Sequence, residues 1–225
     1  IRVFAQTALA AKDERFLEYC PGMVKFLIQA QMDTGMLPYH LAEPGGPRSD
    51  DRIYFLCYNY NAFQFLNIME YFHMTKDEEV LPVLDGLARF LTTGISARGA
   101  AWYDTHHEFP EVLYYTPAAA AALSHATEMG LGEYRDLADS AYEYTLSCQK
   151  PDGNMTHYSR KNYGLLHDRR SYPRYLSMIL HHLLMEIIRL RNEKTVDDSQ
   201  PNKEQEHNLN GFALENQSET AAVAH

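Results

Sequence analysis

The sequence predicts an all-α protein in which inner and outer helices alternate, and three observations carry that expectation. Apolar residues recur at helical spacing, and the two-residue alternation of a half-buried strand is absent. Helices apolar around their whole circumference take turns with helices apolar along one stripe. This is what the buried and exposed layers of a two-layer helical array require. The connections alternate as well: short links lead into the striped helices and long ones into the apolar helices.

Taken in order, "ERFLEYCPGMVKFLIQAQM" carries apolar residues at Phe16, Leu17, Cys20, Val24, Leu27 and Ile28, interrupted by Pro21-Gly22. "IYFLCYNYNAFQFLNIMEYF" is apolar nearly all round, as a helix buried on every side would be. "DEEVLPVLDGLARFL" returns to one stripe through Val80, Val83, Leu84, Leu87 and Leu91. "TPAAAAALSHATEM" is again apolar throughout, and "GEYRDLADSAYEYTLSCQ" is amphipathic through Tyr134, Leu137, Ala138, Ala141, Tyr144 and Leu146. "YLSMILHHLLMEIIRL" closes the series; one of His181 and His182 must face apolar surroundings, and a hydrogen-bonded core histidine is expected there.

Three long loops, residues 33–52, 95–113 and 150–172, precede the inner helices. In an up-down array alternate connections lie at the same end, so all three share one face above the inner helix N-termini. The loops also repeat. Aligned on Gly35, Gly99 and Gly153, each has a ring four residues on: Tyr39, Tyr103 and His157. Gln31 and Asp33, and again Gln149 and Asp152, stand before two of these glycines. The physical sense is a helix end closed by a glycine at positive φ, followed by a turn whose ring packs back.

This Q-x-x-D-G-type turn, with the alternating layers, resembles the α/α-toroid proteins, which include terpenoid cyclase and prenyltransferase-like rings and six-hairpin sugar-processing enzymes. The likeness covers roughly residues 14–190. It implies an α/α toroid or part of one over 1–192, supplying fewer hairpins than a whole ring, with a further domain or subunit completing it. It also implies a ligand funnel at the inner helix N-termini, the face to which the long loops point. Helix N-termini suit anions there.

The second loop, "GAAWYDTHHEFPEVLYYTP", holds the only Trp. Asp104 with His106 is a candidate acid–base pair, and Trp102, Tyr103 and Tyr115 a candidate flat wall for a sugar ring or isoprenoid chain; the rings read equally as loop anchors. The third loop is the one basic concentration of the chain. Arg160, Arg169, Arg170 and Arg174 fit a clamp for a carboxylate, sulfate or phosphate, or else a solvated loop, with His157 and Tyr158 as candidate proton-transfer groups. From the first loop and the helix after it come Tyr39 and Tyr60 as candidate substrate contacts. Tyr58, Asn59 and Asn61 are polar groups that either bond across helices or line the funnel, the second being preferred. Adjacent His106 and His107 make a poor metal pair, and neither metal nor cofactor is expected.

Of the formal net charge of −10, about half lies in residues 192–225, with seven acids against two lysines. That stretch, from residue 193 on, reads as a disordered acidic tail. The body has no basic stripe of the kind duplex nucleic acid requires. No apolar run is of membrane-spanning length. Cys20, Cys57 and Cys148 are too scattered for a disulfide framework and read as buried or free thiols, with zinc or a nucleophile as the other reading; a reducing, cytoplasmic setting fits them. The opening "IRVFAQTALAAKDERF" has no signal-peptide layout.

The functional expectation is a carbohydrate-active domain acting on or binding an acidic glycan, with hydrolase, lyase and epimerase chemistry all open. An isoprenoid cyclase or prenyltransferase-like enzyme, lacking here a D-x-D-D-type motif, and a non-catalytic helical-repeat module are the alternatives.

Overall fold

The structure, a computed structural model, describes residues 1–38, 57–160 and 170–198. The chain forms two compact units, Ile1–Leu184 and Met185–His225. The first unit is almost wholly helical. An initial helix α1 (Arg2–Ala11) precedes those that periodicity picks out; its buried residues are Ala5 and Ala8, a stripe too small to stand out in hydropathy. Next come α2 (Cys20–Ala30), α3 (Cys57–Thr75), α4 (Leu81–Thr92), α5 (Tyr115–Glu128) and α6 (Arg135–Ser147). The last helix, α7 (Pro173–Asp198), begins in this unit. Pro21 and Pro82 sit in the first turns of α2 and α4, where no amide hydrogen is missed. A single 3-10 turn leads into each of these helices, Glu14–Tyr19 and Glu78–Val80.

α1 packs against α3 and α3 against α5; α4 contacts both α3 and α5, α6 lies against α5, and α2 neighbours α4. α5 is buried on all sides through its Ala118–Ala122 run, whereas α6 buries one face through Ala138, Ala141, Tyr142 and Thr145. A five-alanine helix can approach its neighbours closely, since no side chain holds the backbones apart.

The internal repeat is three-dimensional. In each of the three turns the amide of the residue three before the glycine donates to the carbonyl of the residue after it: Met32 to Met36 (2.9 Å), Ser96 to Ala100 (2.9 Å) and Lys150 to Asn154 (2.8 Å). Gly35, Gly99 and Gly153 have φ of 86°, 89° and 83°. The Gln31 and Gln149 side-chain amides donate to the carbonyls of Gly35 (2.8 Å) and Gly153 (3.0 Å). A second, unanticipated repeat position lies at the other end of each hairpin. Lys12, Lys76 and Gly130 all adopt positive φ, closing α1, α3 and α5, and Asp13 and Asp77 then cap the 3-10 turns by accepting from Arg15 and Glu79 amides.

The turns also fasten one hairpin to the next. A Cβ on Gly35 would lie 2.1 Å from the Gly86 carbonyl oxygen of α4, and one on Gly99 would lie 2.2 Å from the Ser140 carbonyl oxygen of α6. Gly86 and Ser140 each stand thirteen positions before the glycine of their own turn. Gln31 strengthens the first contact by donating also to the Val83 carbonyl (2.9 Å).

The all-α class holds, with one minor β element. Strands are present, as a two-stranded antiparallel pair of β1 (Glu111–Val112) and β2 (Tyr158–Arg160), with Val112 opposite Tyr158. Segments this short show no alternation in sequence; pairing across the chain makes them.

In the second unit the described residues continue α7 to Asp198, taking in the start of the acidic stretch. Glu193 and Lys194 are good helix formers, and propagation from an existing helix needs no new nucleus. Glu186 and Arg189 form a buried ion pair there, with Nε donating to Oε2 at 2.8 Å. The rest of the expected tail lies outside the described residues. No described helix is long and apolar enough to cross a membrane.

Candidate functional site

The second loop is organised around Asp104, only 2% exposed. Its Oδ1 accepts from the His106 and His107 amides, both at 2.8 Å, and the His107 ring Nδ1 lies 2.9 and 3.1 Å from the two carboxylate oxygens. The imidazole that Asp104 meets is therefore that of His107. The exposed His106 ring stands edge-on to it, with centroids 6.4 Å apart. The carboxylate is occupied in folding the loop, as an Asx turn does.

This loop lies over the start of α3. Burial, offset by a hydrogen bond to the Thr105 backbone and reinforced by the nearby Asp104 charge, pushes the Cys57 thiol up to about 12. Burial raises the Cys20 and Cys148 thiols as well. All three cysteines are free thiols.

Trp102 is half-buried. Its amide donates to the Gly94 carbonyl (2.7 Å), and its Nε1 is buried with no hydrogen-bond partner among the described residues. The next anchor is Glu111, a buried carboxylate that accepts from the Tyr144 hydroxyl (2.8 Å) and pairs with the Arg98 guanidinium.

The chemistry-bearing groups gather where the third loop meets the starts of α5 and α7. The Tyr175, His157 and Tyr114 rings lie nearly parallel at the corners of a triangle, Tyr175 being 4.2 Å from His157 and 4.6 Å from Tyr114, and the last two 5.7 Å apart. Tyr158 lies 4.1 Å from His157, and Tyr172 meets His157 edge-on at 5.6 Å. The guanidinium groups of the exposed residues Arg170 and Arg174 lie 5.8 and 5.9 Å from the Tyr172 and Tyr175 ring centres. Backbone bonds fix the histidine, whose amide donates to Arg170 and whose carbonyl accepts from Leu113, both at 3.0 Å.

Tyr114 stands against Tyr115 edge-on at 4.8 Å, and Tyr103 stacks on Tyr115 at 6.4 Å and 17°. Burial pushes the Tyr114 hydroxyl up to about 12, with Tyr175 and Tyr60 adding to the shift. Tyr115 and Tyr103 are raised by burial too. All three stay protonated near neutral pH, able to donate hydrogen bonds.

The structure thus brings together His157, Tyr158, Tyr103, Tyr115, Arg170 and Arg174, with exposed Tyr60 beside Tyr114. Tyr39, Arg169 and the Arg160 side chain lie outside the described residues. Tyr175, central to the cluster, was not singled out; its spacing of three from Tyr172 across a helix start is the signal that could have found it.

Three neighbours of Tyr60 do not line this face. Tyr58 stacks on Phe90 (4.9 Å) and its hydroxyl bonds that of Thr93 (3.2 Å). Asn61 ties the Leu37 backbone, accepting from its amide at 2.7 Å and donating to its carbonyl at 3.2 Å. Asn59 is buried, with an Oδ1 that has no partner among the described residues. Once a helix is surrounded, its first-turn polar groups turn to neighbouring backbone.

His182 is the core-facing histidine, 1% exposed with Phe63 5.7 Å away, but neither ring nitrogen finds a partner among the described residues. The expected hydrogen bond is not found among the described residues. No group of three or more His, Cys, Asp or Glu that could hold a metal occurs among the described residues. Comparison of the chain with protein-family models, with curated proteins and with solved structures finds no match.

Proposed function

We propose that this chain is part of an α/α-toroid domain that binds and acts on an acidic glycan at the face formed by its second and third long loops. The observation that carries the reading is the cluster of near-parallel rings Tyr114, Tyr175 and His157, with the guanidinium groups of Arg170 and Arg174 beside it. Flat aromatic faces bind sugar rings, and arginine forks match a uronate carboxylate or a sulfate. His157 and Tyr158 are the proton-transfer pair: an imidazole can take a proton near neutral pH, and a neutral phenol can return one. Asp104 and Glu111 hold the loops. Supporting the ring reading are the alternating inner and outer helices and the turn that recurs at each hairpin end.

The test is calorimetric titration with acidic and neutral oligosaccharides of matched length. Acidic ligands bind, and Arg174→Gln weakens them by about tenfold while leaving the fold unchanged, the loss of one exposed charge-assisted contact. Equal affinity for neutral sugars, or no effect of Arg174→Gln, would remove the acidic-glycan reading. Binding of prenyl diphosphates alone would turn the face over to isoprenoid chemistry.

A further inference from the structure

The three turns are alike inside the chain but differ in what lies against them. Gly35 abuts Gly86 of α4 and Gly99 abuts Ser140 of α6, in each case the next outer helix of the array. Gly153 has the same φ and the same turn bonds, yet among the described residues the only heavy atom near the Cβ it lacks belongs to its own neighbour Gln149, at 4.0 Å. Gln31 in the first turn spends one hydrogen bond on its own turn and a second on the Val83 carbonyl of α4. Gln149 makes the first of these bonds and has no second among the described residues. The inner helix that follows, α7, packs Leu183 against the cluster of Ala120, Ala141 and Tyr142 but leaves Leu180 (55%) and Leu184 (46%) exposed one turn apart.

We propose that the Gly153 turn, with the Leu180–Leu184 face of α7, is a docking surface for an amphipathic helix of the repeat's own outer type. The outer helices state its chemistry. Around the small residue they carry Val83-Gly86-Leu87-Phe90 in α4 and Leu137-Ser140-Ala141-Tyr144 in α6, apolar side chains at spacings of three, one and three. In α4 all four positions are buried, Phe90 to 3%. The occupant is therefore a helix with a Gly, Ser or Ala facing Gly153, an apolar residue one turn before it and an aromatic one turn after. Its backbone carbonyl at the −3 position accepts from the Gln149 side chain, as that of Val83 does from Gln31. The segment that ends the first 3-10 helix and opens α2 carries the same spacing, Tyr19-Gly22-Met23-Phe26. There Tyr19 and Phe26 are exposed and Gly22 has nothing within 4 Å.

The experiment titrates the whole folded chain with a peptide of residues 78–93. A lactam from Asp85 to a lysine in place of Arg89 holds it helical; both positions are exposed. Binding is read by calorimetry and by the amide resonance of Gly153. The expected Kd is on the order of 100 µM, because a short helix meets only one face of a surface. A Gly86→Leu peptide binds at least tenfold more weakly, and Leu184→Glu in the protein abolishes binding. No binding of the parent peptide at millimolar concentration overturns the proposal, as does equal binding of the Gly86→Leu peptide. The peptide variant decides the matter even where Leu184→Glu disturbs the protein.

Discussion

The glycine turns allow the contact between hairpins to be weighed separately from the backbone conformation that makes it. Gly99→Ala and Gly153→Ala impose the same strain, since both residues sit at φ above 80°. An L-residue there costs about 1–2 kcal/mol. They differ in space. The new methyl at 99 falls 2.2 Å from the Ser140 carbonyl oxygen and 2.7 Å from its carbon, both backbone atoms that cannot rotate away. The turn must part from α6, and overpacking of this kind adds about 1–3 kcal/mol. At 153 the methyl meets, among the described residues, only the Gln149 side chain at an ordinary 4.0 Å. Gly99→Ala should therefore lose about 2–5 kcal/mol and Gly153→Ala about 1–2 kcal/mol. Urea unfolding followed by far-ultraviolet circular dichroism measures both, and Gly35→Ala, facing Gly86, should side with Gly99→Ala. Equal losses at the three sites would mean that strain is the whole effect and that the turns do not fasten neighbouring hairpins.

His182 predicts an acid limb in stability. Burial, with His181 adjacent, lowers its folded value to about 4 from an ordinary 6.5. Its contribution is complete above pH 6.5 and is lost as pH falls toward 4, because the unfolded chain takes the proton first; the window is worth about 2–3 kcal/mol. His182→Leu should flatten that limb, and unfolding midpoints measured from pH 4 to 8 will show whether it does. Asp104→Ala strips the cap from the His106 and His107 amides and should cost about 1–2 kcal/mol, with faster hydrogen exchange confined to those amides. Global rather than local exchange would contradict a loop-holding role. Arg98→Ala takes the guanidinium away from the buried Glu111 carboxylate and should cost about 2–3 kcal/mol, less than for a wholly buried pair because Arg98 is itself 41% exposed. Replacing Arg98 and Glu111 together by Met and Gln should recover part of that loss, and a double-mutant cycle tests the coupling.

The helices were readable because burial on all sides, as in α5, and burial on one side, as in α6, leave different periodicities. The same holds for the glycine turns, which need a residue type few positions demand. The matching turn at Lys12, Lys76 and Gly130 was not readable: a lysine held at positive φ looks like any surface lysine. Of the candidate site, the rings and arginines of the third loop could be named from their density alone. What each carboxylate does could not. Asp104 and Glu111 look like reactive groups in a string of letters, and only the arrival of His107, Tyr144 and Arg98 from other positions shows them engaged. Tyr58 and Asn61 illustrate the reverse, polar residues whose partners, Thr93 and the Leu37 backbone, lie too far along the chain for local reading.

The short pairing of β1 with β2 has a mechanical consequence. Glu111 and Val112 belong to the loop that carries Asp104, and Tyr158 to the loop that carries His157. Joined by backbone, the two loops behave as a single leaf hinged at the helix starts. A ligand that grips either loop grips both, so opening should register as one relaxation process shared by the Asp104 and His157 amides.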